Sequence, residues 1–185
     1  MTMAPGVRKT ALVAHVGCSV GWLGAIVTSL AVGVAGLASR DGQVVRAAYL
    51  TLEGIGWHAL IPLSLASLLT GLIQSLGTTW GLLRHYWVLV KLLMNLFATG
   101  VLLLYMQTLT YLANLARTAA STADLDHLRN PSPVGHAGAA VALLLVALVL
   151  SIYKPRGLTA YGQRKQHRQR TATATTRAEQ AISRH

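Results

Sequence analysis

The stretch VLVKLLMNLFATGVLLL, Val88 to Leu104, decides the fold class. It is an apolar run interrupted by a charge, Lys91, one turn from its start. Together with its flanks it reads as a membrane span over 86–112, since about 20 mostly apolar residues cross roughly 30 Å of hydrocarbon. Three more runs of spanning length follow the same reading, 10–38, 50–76 and 134–153. Composition agrees: 53% of the 185 residues are hydrophobic and 11% are charged, against about 25% charged in a soluble domain. The expectation is an all-α integral membrane four-helix bundle over 1–153, followed by a basic tail, 154–185. Runs 10–38 and 86–112 exceed the minimum, which predicts tilt or projection beyond the bilayer. Arg8 and Lys9 precede the first run as in a signal peptide. That run is much longer than the roughly 7–15 residues of a signal core, so it reads as a retained span.

The net charge of +11 is unevenly spread. Lys154, Arg156, Arg164, Lys165, Arg168, Arg170, Arg177 and Arg184 crowd the tail, with Glu179 as its one acid. Basic residues flanking spans mark the cytoplasmic side. Four spans put Arg8 and Lys9 on that side too, along with Arg84 in the middle connection. The other connections carry Arg40, Asp41 and Arg46, and Arg117, Asp124, Asp126 and Arg129. The predicted topology therefore has both termini in the cytoplasm. A basic tail can bind nucleic acid. The Thr/Ala/Arg repetition of 171–177 instead favours a disordered end that touches lipid headgroups, and no nucleic-acid partner is expected. Cys18 is the single cysteine. It allows no intrachain disulfide and no thiolate metal cluster, and it reads as a small packing residue.

Helical periodicity sorts the faces of each span. In the first, Val16, Val20, Leu23, Val27 and Leu30 form a stripe for lipid. Gly17, Gly21, Gly24 and Thr28 form a small-residue face that lets another helix approach, within the bundle or in an oligomer. His15, Ser19 and Trp22 point inward beside Cys18 and Ala25. The second span has a polar stripe of Glu53, Trp57, Ser64, Ser67, Gly71, Gln74 and Ser75. His58 lies off it, and Pro62 is positioned to kink the helix and rotate the register. In the third, Trp87, Lys91, Asn95, Ala98, Leu102 and Tyr105 share one face, and Leu89, Leu92, Leu96 and Leu103 another that should touch lipid. The fourth span is Ala/Leu/Val throughout, with His136 at its start, and closes the bundle. The connection from Leu115 to Pro133 reads as an exposed outer loop. His15, Gln74 and Lys91 fall at one depth, toward the cytoplasm. Glu53, Tyr105 and His136 fall in the outer half, and His58 lies nearer the middle.

An intramembrane ionisable residue has a partner or a task. His15 is a candidate haem or metal ligand. The competing reading is a histidine bonded to Ser19, a second-span hydroxyl or a carbonyl. Lys91 can pair with a carboxylate such as a porphyrin propionate, or move a proton. Alternatively its long stem lets the ammonium reach the interface. Glu53 reads as a partner for a helix N-terminus or for Arg46. The tryptophans 22, 57, 80 and 87 suit interfacial anchoring or packing. The spans hold no paired histidine–histidine or Glu-x-x-His motif of zinc or di-iron sites.

The stretch from His15 through Trp22 to Gly24 resembles a first-helix pattern of His, six residues, Trp, one residue and Gly or Ala. Tyr86-Trp87 with Lys91-Leu-Leu resembles a third-helix pattern of Trp, three residues and Lys. Both are similar to the copper-resistance protein D group and to the bacterial J-type protoporphyrinogen oxidase, a small haem-associated membrane protein. Ser67-Leu-Leu-Thr70-Gly71 is similar to that group's second helix. Residues 8–112 also resemble a family of short bacterial membrane proteins without an assigned role. The resemblance implies a bacterial plasma-membrane protein, with haem b associated with His15 and Lys91. Ser19, Trp22 and Asn95 are added to that candidate cofactor site by their faces. It implies the scaffold rather than the oxidase reaction, because Ala25-Ile-Val-Thr28 follows Gly24 where the oxidase has a Tyr and a Leu-Pro-Arg-like stretch. Copper-import accessory or transport function, and a non-catalytic assembly subunit, are the alternatives. Copper lacks paired Met, Cys or His ligands here.

Overall fold

The computed structural model describes residues 3–77, 85–119 and 128–153, with isolated positions beyond 153. Trp80, Arg84, Asp124, Asp126, His127 and most of the tail lie outside the described residues. Among the described residues four helices are long and apolar enough to cross a membrane: α1 Pro5–Ala38, α2 Gly42–Leu76, α3 Tyr86–Thr118 and α4 Ser132–Tyr153. The protein is therefore an all-α, multi-pass membrane protein. Hydrocarbon forces this choice, because a helix satisfies its own backbone. The first three helices have 34, 35 and 33 residues, about 50 Å each, so they tilt or project.

The end bearing Pro5, Leu76, Tyr86 and Tyr153 is called proximal here, and the opposite end distal. Each helix packs on its two neighbours, in the cyclic order α1, α2, α3, α4. Pro5 starts α1, where its missing N–H is not needed. At the distal end residues 39–41 suffice to reverse the chain. Ser39 Oγ accepts from the Asp41 N–H at 3.1 Å, and the Asp41 carboxylate accepts from the Gln43 N–H at 2.8 Å, capping α2. That cap starts α2 at Gly42 rather than at 50. α3 likewise runs past 112 because Leu112, Ala113 and Ala116 remain buried. Leu112 and Ala116 pack with Val45, Tyr49 and Leu128.

Pro62 cannot donate to the carbonyl four residues back. Over Gly56–Leu60 the helix switches to wider π bonding, with the Ile61 N–H bonded to the Gly56 carbonyl. The predicted register change lies here. Ser64 and Ser67 turn into the bundle, whereas Trp57, expected on the same stripe, is 53% exposed. Its indole N–H donates to Thr110 Oγ1 at 3.3 Å. Gly56 is seated on α3: a Cβ there would lie 2.5 Å from Met106 Sδ.

The central core joins Trp22, Ile26 and Leu60 to Ala98 and Leu102 of α3 and Ala137, Ala140, Val141 and Leu144 of α4. α4 thus closes the bundle as expected. Leu52, Met106 and Leu109 pack distal to it. Val16, Val20 and Val27 are exposed, as their stripe required, while Leu23 and Leu30 are half-buried. On α3, Leu96 and Leu103 are exposed and Leu89 and Leu92 half-buried. The outward face there also takes in Val90, Leu93, Phe97 and Leu104. The small-residue face of α1 divides. Gly21 meets Leu63, but Gly17 and Gly24 face open space, and Thr28 is exposed. The tight seams lie further along, where a Cβ on Gly36 would sit 2.6 Å from Ala48 Cβ and one on Gly33 3.3 Å from Val134.

The distal connection is not wholly exposed. Leu128 is buried, and the Tyr49 hydroxyl donates to its carbonyl while accepting from the Asn130 N–H. Glu53 pairs with Arg117, not with Arg46, and caps no helix start, since α2 begins eleven residues earlier at Gly42. Arg46 instead donates to the Ala119 carbonyl.

Gly36→Ala should lower stability by about 1–3 kcal/mol, because Ala48 Cβ cannot rotate away and the helices must part. Gly24→Ala, with nothing near its Cβ, should be neutral or slightly stabilising. Thermal unfolding in mild detergent measures both.

Candidate functional site

The proximal half of the interior differs from the apolar distal half. Here α1, α2 and α3 turn polar side chains inward. His15 is half-buried between α1 and α2. Its Nδ1 lies 3.1 Å from the Ser67 carbonyl and 3.3 Å from Thr70 Oγ1. The carbonyl can only accept, so Nδ1 carries the proton. The Nε2 lone pair is then left for another partner, the arrangement that metal-bound histidines use. The Thr70 hydroxyl donates to the Ala66 carbonyl at 2.6 Å. One turn further along α1, Ser19 Oγ and Ser67 Oγ are hydrogen-bonded at 2.8 Å.

Gly71 makes this seat possible. A Cβ there would lie 2.9 Å from His15 Cε1 and 3.3 Å from Nδ1. The imidazole thus rests against bare backbone. Neither Thr70 nor Gly71 was marked as a partner of His15 from spacing alone, although both end the Ser67-to-Gly71 stretch noted above.

Lys91 projects from α3, diagonally across from α1, at the same depth. Its ammonium lies 5.6 Å from the Trp87 ring centroid, a cation–π distance. Side chains on a helix lean toward its N-terminus, which carries Lys91 toward the proximal end. Asn95 and Trp22 continue the polar face inward. Trp22 is buried to 2% exposure and its Nε1 has no hydrogen-bond partner, nor has the buried Asn95 Oδ1. Thr99, buried on the same side of α3, was missed because a threonine within an apolar run carries little signal.

His58 and His136 do not join His15. His58 is exposed on the outside of α2, with Nδ1 3.0 Å from the Gly54 carbonyl of its own helix. His136 is distal. It stacks on Tyr105 with ring centroids 3.9 Å apart, and its Nδ1 lies 2.9 Å from the Ser132 carbonyl. Tyr105 and Ser132 hydroxyls are bonded at 3.1 Å. The expected outer grouping therefore forms from Tyr105 and His136, while Glu53 is held separately by Arg117. Cys18 is free and half-buried. Among the described residues no three His, Cys, Asp or Glu side chains gather to hold a metal ion.

Gly71→Ala should displace the His15 ring and break its bond to the Ser67 carbonyl. In protein labelled with 15N-histidine, the His15 ring resonances should move while those of His58 and His136 stay in place.

Comparison with family models, with curated proteins and with solved structures returned no match to the chain.

Proposed function

We propose that this is a haem-b-associated redox or haem-handling protein of a bacterial plasma membrane, with the proximal end and both termini in the cytoplasm. The observation that carries the reading is the His15 imidazole, oriented through Nδ1 by the Ser67 carbonyl and backed by Gly71. The donor set suits haem, whose macrocycle supplies four nitrogens of its own and so asks few ligands of the protein. A single oriented histidine is enough for that, whereas a bare copper or zinc ion needs several side chains. In this reading His15 would hold the haem through Nε2, with the Ser67 carbonyl fixing the tautomer that allows it. Lys91 would pair with a propionate or transfer a proton. Ser19, Trp22 and Asn95 line the same interior. Bound haem would supply one-electron exchange at its iron. The resemblance of the short stretches from His15 to Gly24, Ser67 to Gly71 and Tyr86 to Leu93 to haem-associated membrane proteins supports the scaffold, and the reaction is left open.

A second reading, a non-catalytic assembly subunit, is favoured by one observation. Gly17 and Gly24 have nothing within 4 Å of a built Cβ, and a small-residue face suits a neighbouring helix. Copper import finds no comparable support.

Membranes from cells with ample haem, solubilised in mild detergent, should give protein with a Soret band. His15→Ala should abolish the band, and Lys91→Met should retain less haem than Lys91→Arg. Protein from haem-replete cells with no Soret absorption refutes the reading, and a band that survives His15→Ala refutes the ligand.

A further inference from the structure

We propose that Trp22, Asn95 and Thr99 form a polar site in the bundle core that binds ordered water, extending the His15–Lys91 region inward as a blind wet line. Trp22 is 2% exposed and Thr99 3% exposed. Trp22 Nε1, Asn95 Oδ1 and Thr99 Oγ1 are buried without a hydrogen-bond partner. Buried polar groups are nearly always paired, with protein or with water.

The neighbouring hydroxyls show what Thr99 declines to do. Thr28, Ser29, Ser64 and Thr70 each donate to a carbonyl three or four residues back on their own helix. Thr99 does not, so its hydroxyl is available across the bundle. Lys91, Asn95 and Thr99 stand at successive turns of α3, one ridge that climbs inward from the proximal end. Trp22 shares a core cluster with Ala98 and Leu102, which bracket Thr99 in the sequence, and the Ser19–Ser67 pair lies one turn before Trp22 on α1. α1 and α3 are diagonal in the bundle rather than packed neighbours, which leaves their inward side chains to be bridged.

The chemistry of the three atoms selects the ligand. The indole N–H only donates, the amide oxygen only accepts, and the hydroxyl does both. Water answers all three, accepting from Trp22 and donating to Asn95, and it needs two to four such partners. Beyond Thr99 the interior closes with Leu102, Met106, Leu109 and Leu52, so the line ends there. This inference does not rest on haem.

Two measurements test it. Thr99→Val removes the hydroxyl at constant shape. If water is bound, the unfolding midpoint falls, because the water and its other partners lose a bond. A raised midpoint shows a dry, unpaired hydroxyl and overturns the proposal. Thr99→Cys in a Cys18→Ala background is then treated with methyl methanethiosulfonate, a small reagent that enters bilayers freely. Only a thiolate reacts, and a thiol ionises only where water reaches it. Thr99→Cys should react about tenfold faster or more than Phe97→Cys on the lipid face and Leu109→Cys in the apolar core. Equal rates at the three positions overturn the proposal even if the valine variant fails to fold.

Discussion

The close approach of α1 and α2 at Gly36 and Ala48 governs the rest of the bundle. With only residues 39–41 between them, the two helices must run antiparallel and in contact from the distal end. Gly36 lets their backbones meet, and from there contacts climb like rungs: Gly36 on Ala48, Gly21 on Leu63, Ser19 on Ser67, His15 on Gly71. A change of register at the first rung would displace every rung above it. The imidazole is thus held by a seam whose tightest point is about 20 residues away along α1, roughly 30 Å. Van der Waals contact between small residues drives this seam, since lipid offers no hydrophobic gain for bringing helices together.

Polarity is distributed accordingly. The distal half has an apolar centre of Leu52, Met106 and Leu109, with its connection tied down by Tyr49 and Leu128 and its polar groups paired among themselves, Glu53 with Arg117 and Tyr105 with Ser132 and His136. The proximal half collects hydroxyls, an imidazole, an amide and an ammonium. A buried ion or dipole in such a bundle is tolerable where it has protein or water to answer it. One half therefore carries stability, and the other carries whatever chemistry the molecule performs.

Much of this was legible in the residues. Four apolar runs announced four helices, because length and composition decide membrane spans with little competition from propensity. The inward set of α3, from Trp87 to Tyr105, followed from period alone. The pairing of His15 with α2 was foreseen only as one of several partners. A hydroxyl, a carbonyl and Ser19 were equally available, and only the register between helices chooses the Ser67 carbonyl. The spacing of Gly17, Gly21 and Gly24 does not tell a seam within the bundle from a face for an external partner, because small residues at helical spacing look alike in both. Gly33 and Gly36 make the tight seams, and nothing in their spacing ranked them above the others. Glu53 misled for a different reason: the polar start of α2 hid eight helical residues ahead of the apolar run.

The π turn at Gly56–Leu60 gives α2 a property that a regular helix lacks. It sets the rotational phase of the proximal half independently of the distal half. Winding the same five residues as regular α-helix, with none removed, would swing the proximal half by roughly a quarter turn. Val45, Tyr49 and Leu52 would keep their places in the distal core, while Ser67 and Gly71 would turn away from His15. The length of that one turn, more than the identity of any side chain in it, aligns a stable scaffold with its polar interior.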